Sequence, residues 1–503
     1  MTVADREVIT RHFVQVADRT VHYRHAGKGQ PVVLIHQSPK SSAELEPFMR
    51  QLAPHFSVFA PDTPGYGLSA PLADTKATID DFVDALIALL DALSLDAPVV
   101  FGSHSGAIFG VRLAARYPER VSGLVANGIL INDQATRDEL VAHYFPQFPP
   151  SRTGEHLAGV WSRIRDQHCY YPWFKQSPEY RIHWPASVED MHESALEILM
   201  AGEHYQTGYR AVLDYDISPD VSALSVPAML IVAKPDALVH YVPHYPPLPA
   251  NVSVTITEDY PAIPQKTIAF IYERCANVSL PADPVAKHSH PERQFIRAGK
   301  IGLYCEFSGD PQATPVLVVH DLFQSVRQCR ELISDLSENH FVIAPDLPGH
   351  GYTAGEPLSA AETAKTLVTL IETLKTPHIE LVFVGRSGYL AGEFARYKPQ
   401  GVQTDVLFVP DHAGIALGKL HFDDDTDVAL AKAPDLTPES SGAHFQTAWY
   451  YLRDSYLFSP WYRREEACIS QGRGELTVSE LQIALLDLMA GWKSGNLLLD
   501  AVR

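Results

Sequence analysis

The chain has 503 residues, 46% of them hydrophobic and 20% charged, with 60 acidic against 40 basic side chains and a formal charge of -20 at pH 7. That length exceeds what one hydrophobic core usually sustains, which favours two domains. The acidic balance excludes a polyphosphate-binding surface, because affinity for nucleic acid rests largely on Lys and Arg neutralising phosphates.

Five cysteines (Cys169, Cys275, Cys305, Cys329 and Cys468) are scattered and form no Cys-x-x-Cys pair. Such a set fits reduced thiols better than a disulfide framework or a zinc site, so neither metal nor cofactor is expected. The start, "MTVADREVITRHF", lacks the apolar stretch of a signal peptide. No apolar run approaches the roughly 20 residues needed to span a bilayer. The expectation is a cytoplasmic protein with a small-molecule substrate and neither nucleic acid nor membrane as partner.

In chain order, "PVVLIH" at Pro31, "FSVFAPD" at Phe56 and "PVVFG" at Pro98 are short apolar strands. Between the last two, "TIDDFVDALIALLDALSL" carries apolar residues at 79, 82, 83, 86, 87, 90 and 93, a helical stripe, with Thr78 and Asp81 spaced to cap it. After a turn at Gly102, "AIFGVRLAARYPERV" reads as a helix halted at Pro118, and "GLVANG" returns as a strand. Strands alternating with helices imply right-handed crossovers and a mostly parallel sheet covered on both faces.

The pattern is then written a second time. "PVVLIHQSPKSS" at Pro31 answers "PVLVVHDLFQSV" at Pro315, and "FSVFAPDTPGYGLS" answers "FVIAPDLPGHGYT", pairing Asp62 with Asp346 and His36 with His320. Further on, "GEHLAGVWSRIRDQHCYYPW" at Gly154 answers "GAHFQTAWYYLRDSYLFSPW" at Gly442. The reading is an α/β chain of two tandem units: residues 1–277, a Pro-rich linker at 278–292, and residues 293–503. Unit one continues through "VPAMLIVAKPDALVH" and "NVSVTITEDY", whereas unit two stops soon after its "MAG" at Met489 and lacks two final strands. Its open edge is expected to pack on unit one or to mediate homo-oligomerisation.

A His-bearing turn after the first buried strand, "APDTPGYG", "FGSHSGAIFG", "LAARYPERV" and a later "KPD" together resemble the α/β-hydrolase superfamily. The resemblance covers nearly all of unit one and most of unit two, and places a helical cap at about 132–220. It implies that Gly102-Ser103-His104-Ser105-Gly106 is the nucleophile elbow, a tight strand-to-helix turn with small flanking residues. A histidine holds the position where the family carries its nucleophile. Three readings stay open: Ser105 or Ser103 as nucleophile with His104 as adjacent base, His104 itself as general base, or an inactive site that binds a ligand.

Other positions follow from the resemblance. Asp236 matches the acid that orients an imidazole, against the plainer reading of a turn aspartate. No histidine follows the eighth strand, where Tyr260 stands; His240 and His244 are the nearby substitutes. The oxyanion donors would be the amides of Gln37 or Ser38, beside His36, and of Ser105. In unit two, Gly385-Arg386-Ser387 replaces the elbow, and Asp411 and His412 are the other candidates there. The recurring His156, Trp161, Arg165 and Asp166 read either as a packing motif or as a substrate carboxylate site, Arg165 stacking on Trp161. Tyr170, Tyr171, Trp173, Trp184 and Tyr205 make the cap aromatic. The expected activity is hydrolysis of an ester- or lactone-type bond, or a cofactor-free lyase-type step, on a small, partly apolar carbonyl compound. The alternatives are an inactive ligand-binding or scaffold protein and a serine hydrolase using Ser105.

Overall fold

The computed structural model describes residues 8–182, 186–276, 278, 290–353, 355, 358–397, 399, 403–409, 434–458, 461–470 and 476–500, with 404–409 and 494–500 as backbone alone. Most of the expected linker, Trp184, Asp411 and His412 lie outside the described residues. The chain divides into two compact units, Met1–Pro149 with Gly159–His290, and Pro150–Ala158 with Pro291–Arg503. The segment 150–158, expected in the first unit, groups with the second.

In the first unit the strands are β1 (Thr10–Val16), β2 (Arg19–Gly27), β3 (Pro31–Ile35), β4 (Ser57–Pro61), β5 (Val99–Ser103), β6 (Gly123–Asn127), β7 (Ala228–Ala233) and β8 (Val252–Thr257). They form one sheet in the order β1-β2-β4-β3-β5-β6-β7-β8. Pairing is antiparallel from β1 to β4 and parallel from there on. Every residue of β3, β4, β6 and β7 is buried, as expected of parallel strands covered on both faces.

Helices α1 (Glu46–Leu52), α2 (Ile79–Ala92) and α3 (Ser105–Arg116) fall among the strands. The expected stripe of α2 buries Ile79, Phe82, Val83, Leu86 and Leu90 in one core cluster, each worth about 1.5–3 kcal/mol relative to exposure. Its capping box forms as read, with the Thr78 amide donating to Asp81 at 2.7 Å. Between β6 and β7 lie α4 (Gln134–His143), α5 (Glu155–Gln167), α6 (Val188–Ala201), α7 (Tyr205–Leu213) and α8 (Ser218–Ala223), in the stretch read as the cap. Helix α9 (Ile263–Arg274) closes the unit, and its Ile268, Phe270 and Ile271 pack in a second core cluster with Met49 and Leu52 of α1.

The second unit holds β9 (Arg293–Ala298), β10 (Ile301–Ser308), β11 (Thr314–Val319), β12 (His340–Pro345), β13 (His378–Val384) and β14 (Gln403–Val409). Its helices are α10 (Arg330–Ser337), α11 (Ala360–Leu374), α12 (Gly388–Tyr397), α13 (Ala443–Leu457) and α14 (Val478–Asp500). Its sheet order, β9-β10-β12-β11-β13-β14, repeats the first six places of the larger sheet. No counterpart of β7 or β8 exists among the described residues.

The repetition extends to single hydrogen bonds. His36 Nε2 accepts from the Thr63 amide and His320 Nε2 from the Leu347 amide, both at 2.9 Å. Asp62 accepts from the amides of Ser42 and Leu68, and Asp346 from those of Val326 and Tyr352. His156 Nδ1 accepts from Ser151 and His444 Nδ1 from Glu439, both at 3.2 Å. The first four side chains clip loops at strand ends, and His156 and His444 clip the turns that precede α5 and α13, all structural tasks.

The end of β3 and the start of α3 approach so closely that a Cβ on Gly106 would stand 2.2 Å from the Ile35 carbonyl oxygen. Gly106→Ala is therefore expected to cost about 3 kcal/mol by overpacking, read as a lowered thermal midpoint of the full chain. Gly302→Ala, with nothing within 4 Å of its added Cβ, is the control expected to change little.

Candidate active site

The sharpest backbone feature is at His104. It follows β5 and precedes α3 with φ 49° and ψ -109°, a left-handed conformation costing on the order of 1–3 kcal/mol in a non-glycine residue. Close packing around the turn holds it there. A Cβ on Gly102 would meet the Gly106 carbonyl oxygen at 2.2 Å, and the His104 amide donates to the Asn127 carbonyl at 2.8 Å. The turn presents the imidazole to a cavity of about 520 Å³.

Asp236, just past β7, meets that ring. His104 Nε2 lies 2.8 Å from Asp236 Oδ2, while Oδ1 accepts the Leu238 amide at 2.9 Å. Burial alone would depress the imidazole pKa, but the charge and hydrogen bond of Asp236, reinforced by Glu44, raise it above the ordinary value. Burial likewise works to raise Asp236, and the His104 charge and hydrogen bond with the Leu238 amide more than offset it, so its pKa is lowered. With Nε2–H donated to the carboxylate, Nδ1 keeps its lone pair. Among the described residues Nδ1 has no hydrogen-bond partner.

The flanking serines are placed otherwise. Ser105 Oγ accepts the Ser38 amide at 2.6 Å and contacts Ser38 Oγ at 3.2 Å. Ser103 Oγ accepts from Asn127 Nδ2 at 3.4 Å and stands outside the cavity lining. Neither hydroxyl bonds an imidazole. The expected oxyanion donors are also partly committed: the Ser38 amide to Ser105, and the Gln37 amide to Glu44 Oε1 at 2.8 Å. The Ser105 amide, in the first turn of α3, has no acceptor among the described residues.

Several expected pocket residues lie elsewhere. His36 is buried as the loop clip described above, its Nδ1–H donating to the Gln37 carbonyl at 2.9 Å. Trp161 is buried, Arg165 exposed, and neither lines the cavity; His156 is a loop clip of the second unit. The guanidinium that stacks is that of Arg163, 5.4 Å from the Tyr144 centroid and 5.3 Å from that of Trp173. It is buried, with Nε donating to Tyr205 Oη at 3.0 Å. His240 and His244 are exposed and outside the lining, so neither replaces the missing histidine.

The sequence reading missed Glu44, on the single turn Ser42–Leu45 after β3. It lines the cavity, and both its oxygens accept from Gln37, at 2.8 and 2.9 Å. Burial pushes its pKa up to about 7 against those two bonds, aided by Glu197 and opposed by Lys40. Its signal was the first of two acids in the polar turn "SPKSSAELEP".

The second unit has no such site among its described residues. β11 pairs with β13 so that Val319 faces Phe383, as Ile35 faces Gly102 in the first sheet. The residue after β13 that takes the left-handed turn is Gly385, φ 56°. Read from sequence as the motif's first glycine, it instead holds the place of His104 and carries no side chain. Arg386 is buried against Asp321, with Nε–Oδ1 and Nη2–Oδ2 both 3.0 Å. Ser387 is buried and donates to the Val319 and Val384 carbonyls, so it is not poised as a nucleophile.

A family model for the alpha/beta hydrolase fold matches residues 30–171, a span that includes β3 to β6 and the elbow. Over that span the chain has the alpha/beta hydrolase fold. Similar relatives include a cis-3-alkyl-4-alkyloxetan-2-one decarboxylase of Shewanella oneidensis, 35% identical over 118 residues, which are 23% of this chain and 37% of that protein. An (E)-2-((N-methylformamido)methylene)succinate hydrolase of Acinetobacter baylyi is 32% identical over 126 residues, 25% of this chain and 47% of that one. A haloalkane dehalogenase of Mesorhizobium japonicum is 36% identical over 115 residues, 23% and 37% of the two chains. The matches span less than half the length of these relatives. Among solved structures, the enol-lactonase of Burkholderia xenovorans aligns with TM-score 0.40 and 17% identity, covering 52% of this chain and all of that one.

At this elbow, Gly128 is what lets the ring reach Asp236. It has φ 69°, and a Cβ there would stand 2.5 Å from His104 Cδ2 and 2.9 Å from Nε2. Gly128→Ala is expected to push the imidazole off the carboxylate. The His104 titration midpoint, followed by proton NMR, then falls, because burial is opposed by Glu44 without the Asp236 hydrogen bond.

Proposed function

We propose that the first unit is a cofactor-free α/β-hydrolase-fold enzyme. It hydrolyses, or cleaves by a lyase-type step, a small and partly apolar carbonyl compound, with His104 as general base and Asp236 as its orienter. The observation that carries this reading is the 2.8 Å contact from His104 Nε2 to Asp236 Oδ2, which leaves Nδ1 as the basic atom of a ring on the cavity wall. The helices between β6 and β7 act as the cap that closes over the substrate.

In hydrolysis, Nδ1 takes a proton from water as the water oxygen bonds to the carbonyl carbon. The carbonyl oxygen gains the negative charge and is met by the Ser105 amide, a donor worth roughly 3 kcal/mol in such sites. Collapse of the adduct breaks the bond to the leaving group, which takes the proton from Nδ1. Asp236 holds the ring and stabilises the imidazolium between the two transfers.

A reading in which Ser105 is the nucleophile lacks the base contact it needs. The two are separated by variants assayed on a panel of small esters and lactones. His104→Ala is expected to lose about 10²–10⁴-fold in kcat, the usual range for a general base, whereas Ser105→Ala keeps turnover. Covalent labelling by a fluorophosphonate that disappears in Ser105→Ala would overturn the assignment, and absence of turnover across the panel would favour an inactive binding protein. The base acts when unprotonated and its pKa is raised, so the rate rises with pH through a midpoint above 6.5. Asp236→Asn moves that limb to lower pH and lowers the plateau.

A further inference from the structure

Helix α6 carries Asp190, Glu193 and Glu197 at spacings of three and four, which set them on one face, and all three line the cavity. Like charges so spaced repel by a few tenths of a kcal/mol per pair, a cost with no return within the helix itself. Glu44 adds a fourth carboxylate from the turn after β3. Lys40 is the one lysine of the lining among the described residues, and no arginine joins it.

That lysine is already committed. Its Nζ lies 3.0 Å from Glu197 Oε2 and donates to Ser194 Oγ at 2.6 Å. The His104 ring faces Asp236, which matches its charge when protonated. Arg163 stands outside the lining, held to Tyr205 and stacked on Tyr144 and Trp173. The Asp190 pKa is lowered by the Ser187 hydroxyl and amide, so it is ionised at neutral pH. His168 also lines the cavity, and it acts with Lys40 to lower the Asp190 pKa further. Yet five carboxylates, Asp236 among them, face one lysine and two imidazoles in the lining, so acid is in excess there. Tyrosine rings at 144, 171 and 209 line the same space and offer faces that attract a cation.

We propose that the cavity selects a substrate bearing a protonated amine beside its reacting carbonyl, and turns away carboxylate-bearing analogues. The amine would sit against the acidic face of α6 and the tyrosine rings, with the carbonyl directed at His104. This rests on the hydrolytic reading above for the presence of the carbonyl, but the charge preference stands on the cavity alone. It sets the chain apart from the Acinetobacter relative, whose name specifies a succinate.

The test is equilibrium binding, which needs no turnover and so fails independently of the reaction. The full-length wild-type protein is titrated calorimetrically with 4-phenylbutylamine, 4-phenylbutanol and 4-phenylbutyrate, which share their apolar part and differ in charge. The amine is expected to bind at least about tenfold tighter than the alcohol, a difference near 1.4 kcal/mol, with the butyrate weakest. The preference should shrink in Glu193→Gln and vanish in the Glu44→Gln/Glu193→Gln double variant, while alcohol binding in Glu193→Gln stays as in wild type. Butyrate binding as tight as the amine, an amine preference surviving the double variant, or no binding of any of the three would overturn the proposal.

Discussion

One hydrogen bond organises the candidate site: the imidazole of His104 against the carboxylate of Asp236. It joins an elbow between β5 and α3 to a loop after β7, two places 132 residues apart in the chain. The left-handed backbone at His104 is unfavourable in isolation and persists because β3, β5 and α3 pack too closely for any other path. Gly102, Gly106 and Gly128 are the residues that make this closeness possible, each missing a Cβ that would strike a neighbour. The strain thus sits in a well-packed part of the sheet, and its yield is an imidazole fixed in position against Asp236.

The second unit shows what remains when that contact is absent. It keeps the strand order, the loop-clipping His320 and the buried Asp346, but its elbow apex is Gly385, and no strand equivalent to β7 supplies an acid among the described residues. The space near the elbow holds an Arg386–Asp321 ion pair instead, satisfied by three side-chain contacts and the Arg386 amide. An ion pair so enclosed is compatible with a scaffold, since removing one partner alone would strand a buried charge. The fold outlasts the chemistry because the loop clips depend on backbone partners that tolerate change at the apex.

Much of the architecture was legible from the sequence for reasons of period and punctuation. Short apolar runs marked β3 and β4, the stripe from Ile79 marked α2 together with its Thr78–Asp81 cap, and Pro118 marked where α3 had to end. The elbow was legible because its two glycines stand at a spacing that only a tight turn requires. What the sequence could not show was direction. His36, Trp161 and Arg165 have the right chemistry for a pocket, yet one is turned into a loop clip, one into a core and one into solvent. Glu44 and the acidic face of α6 were hidden for the opposite reason: an acid in a polar turn or on a helix looks like ordinary surface until a cavity is found beside it. Gly385 was misregistered because only strand pairing, not motif shape, says which residue sits at the apex.

The central claim is that Nε2–H of His104 donates a hydrogen bond to Asp236 and Nδ1 serves as the base. The ¹⁵N shifts of the His104 ring, measured on selectively labelled protein at a pH where the ring is neutral, test it most directly. The account predicts a protonated Nε2 and an unprotonated Nδ1, the pattern collapsing in Asp236→Asn. A neutral ring with its proton on Nδ1, unchanged by that substitution, would contradict it.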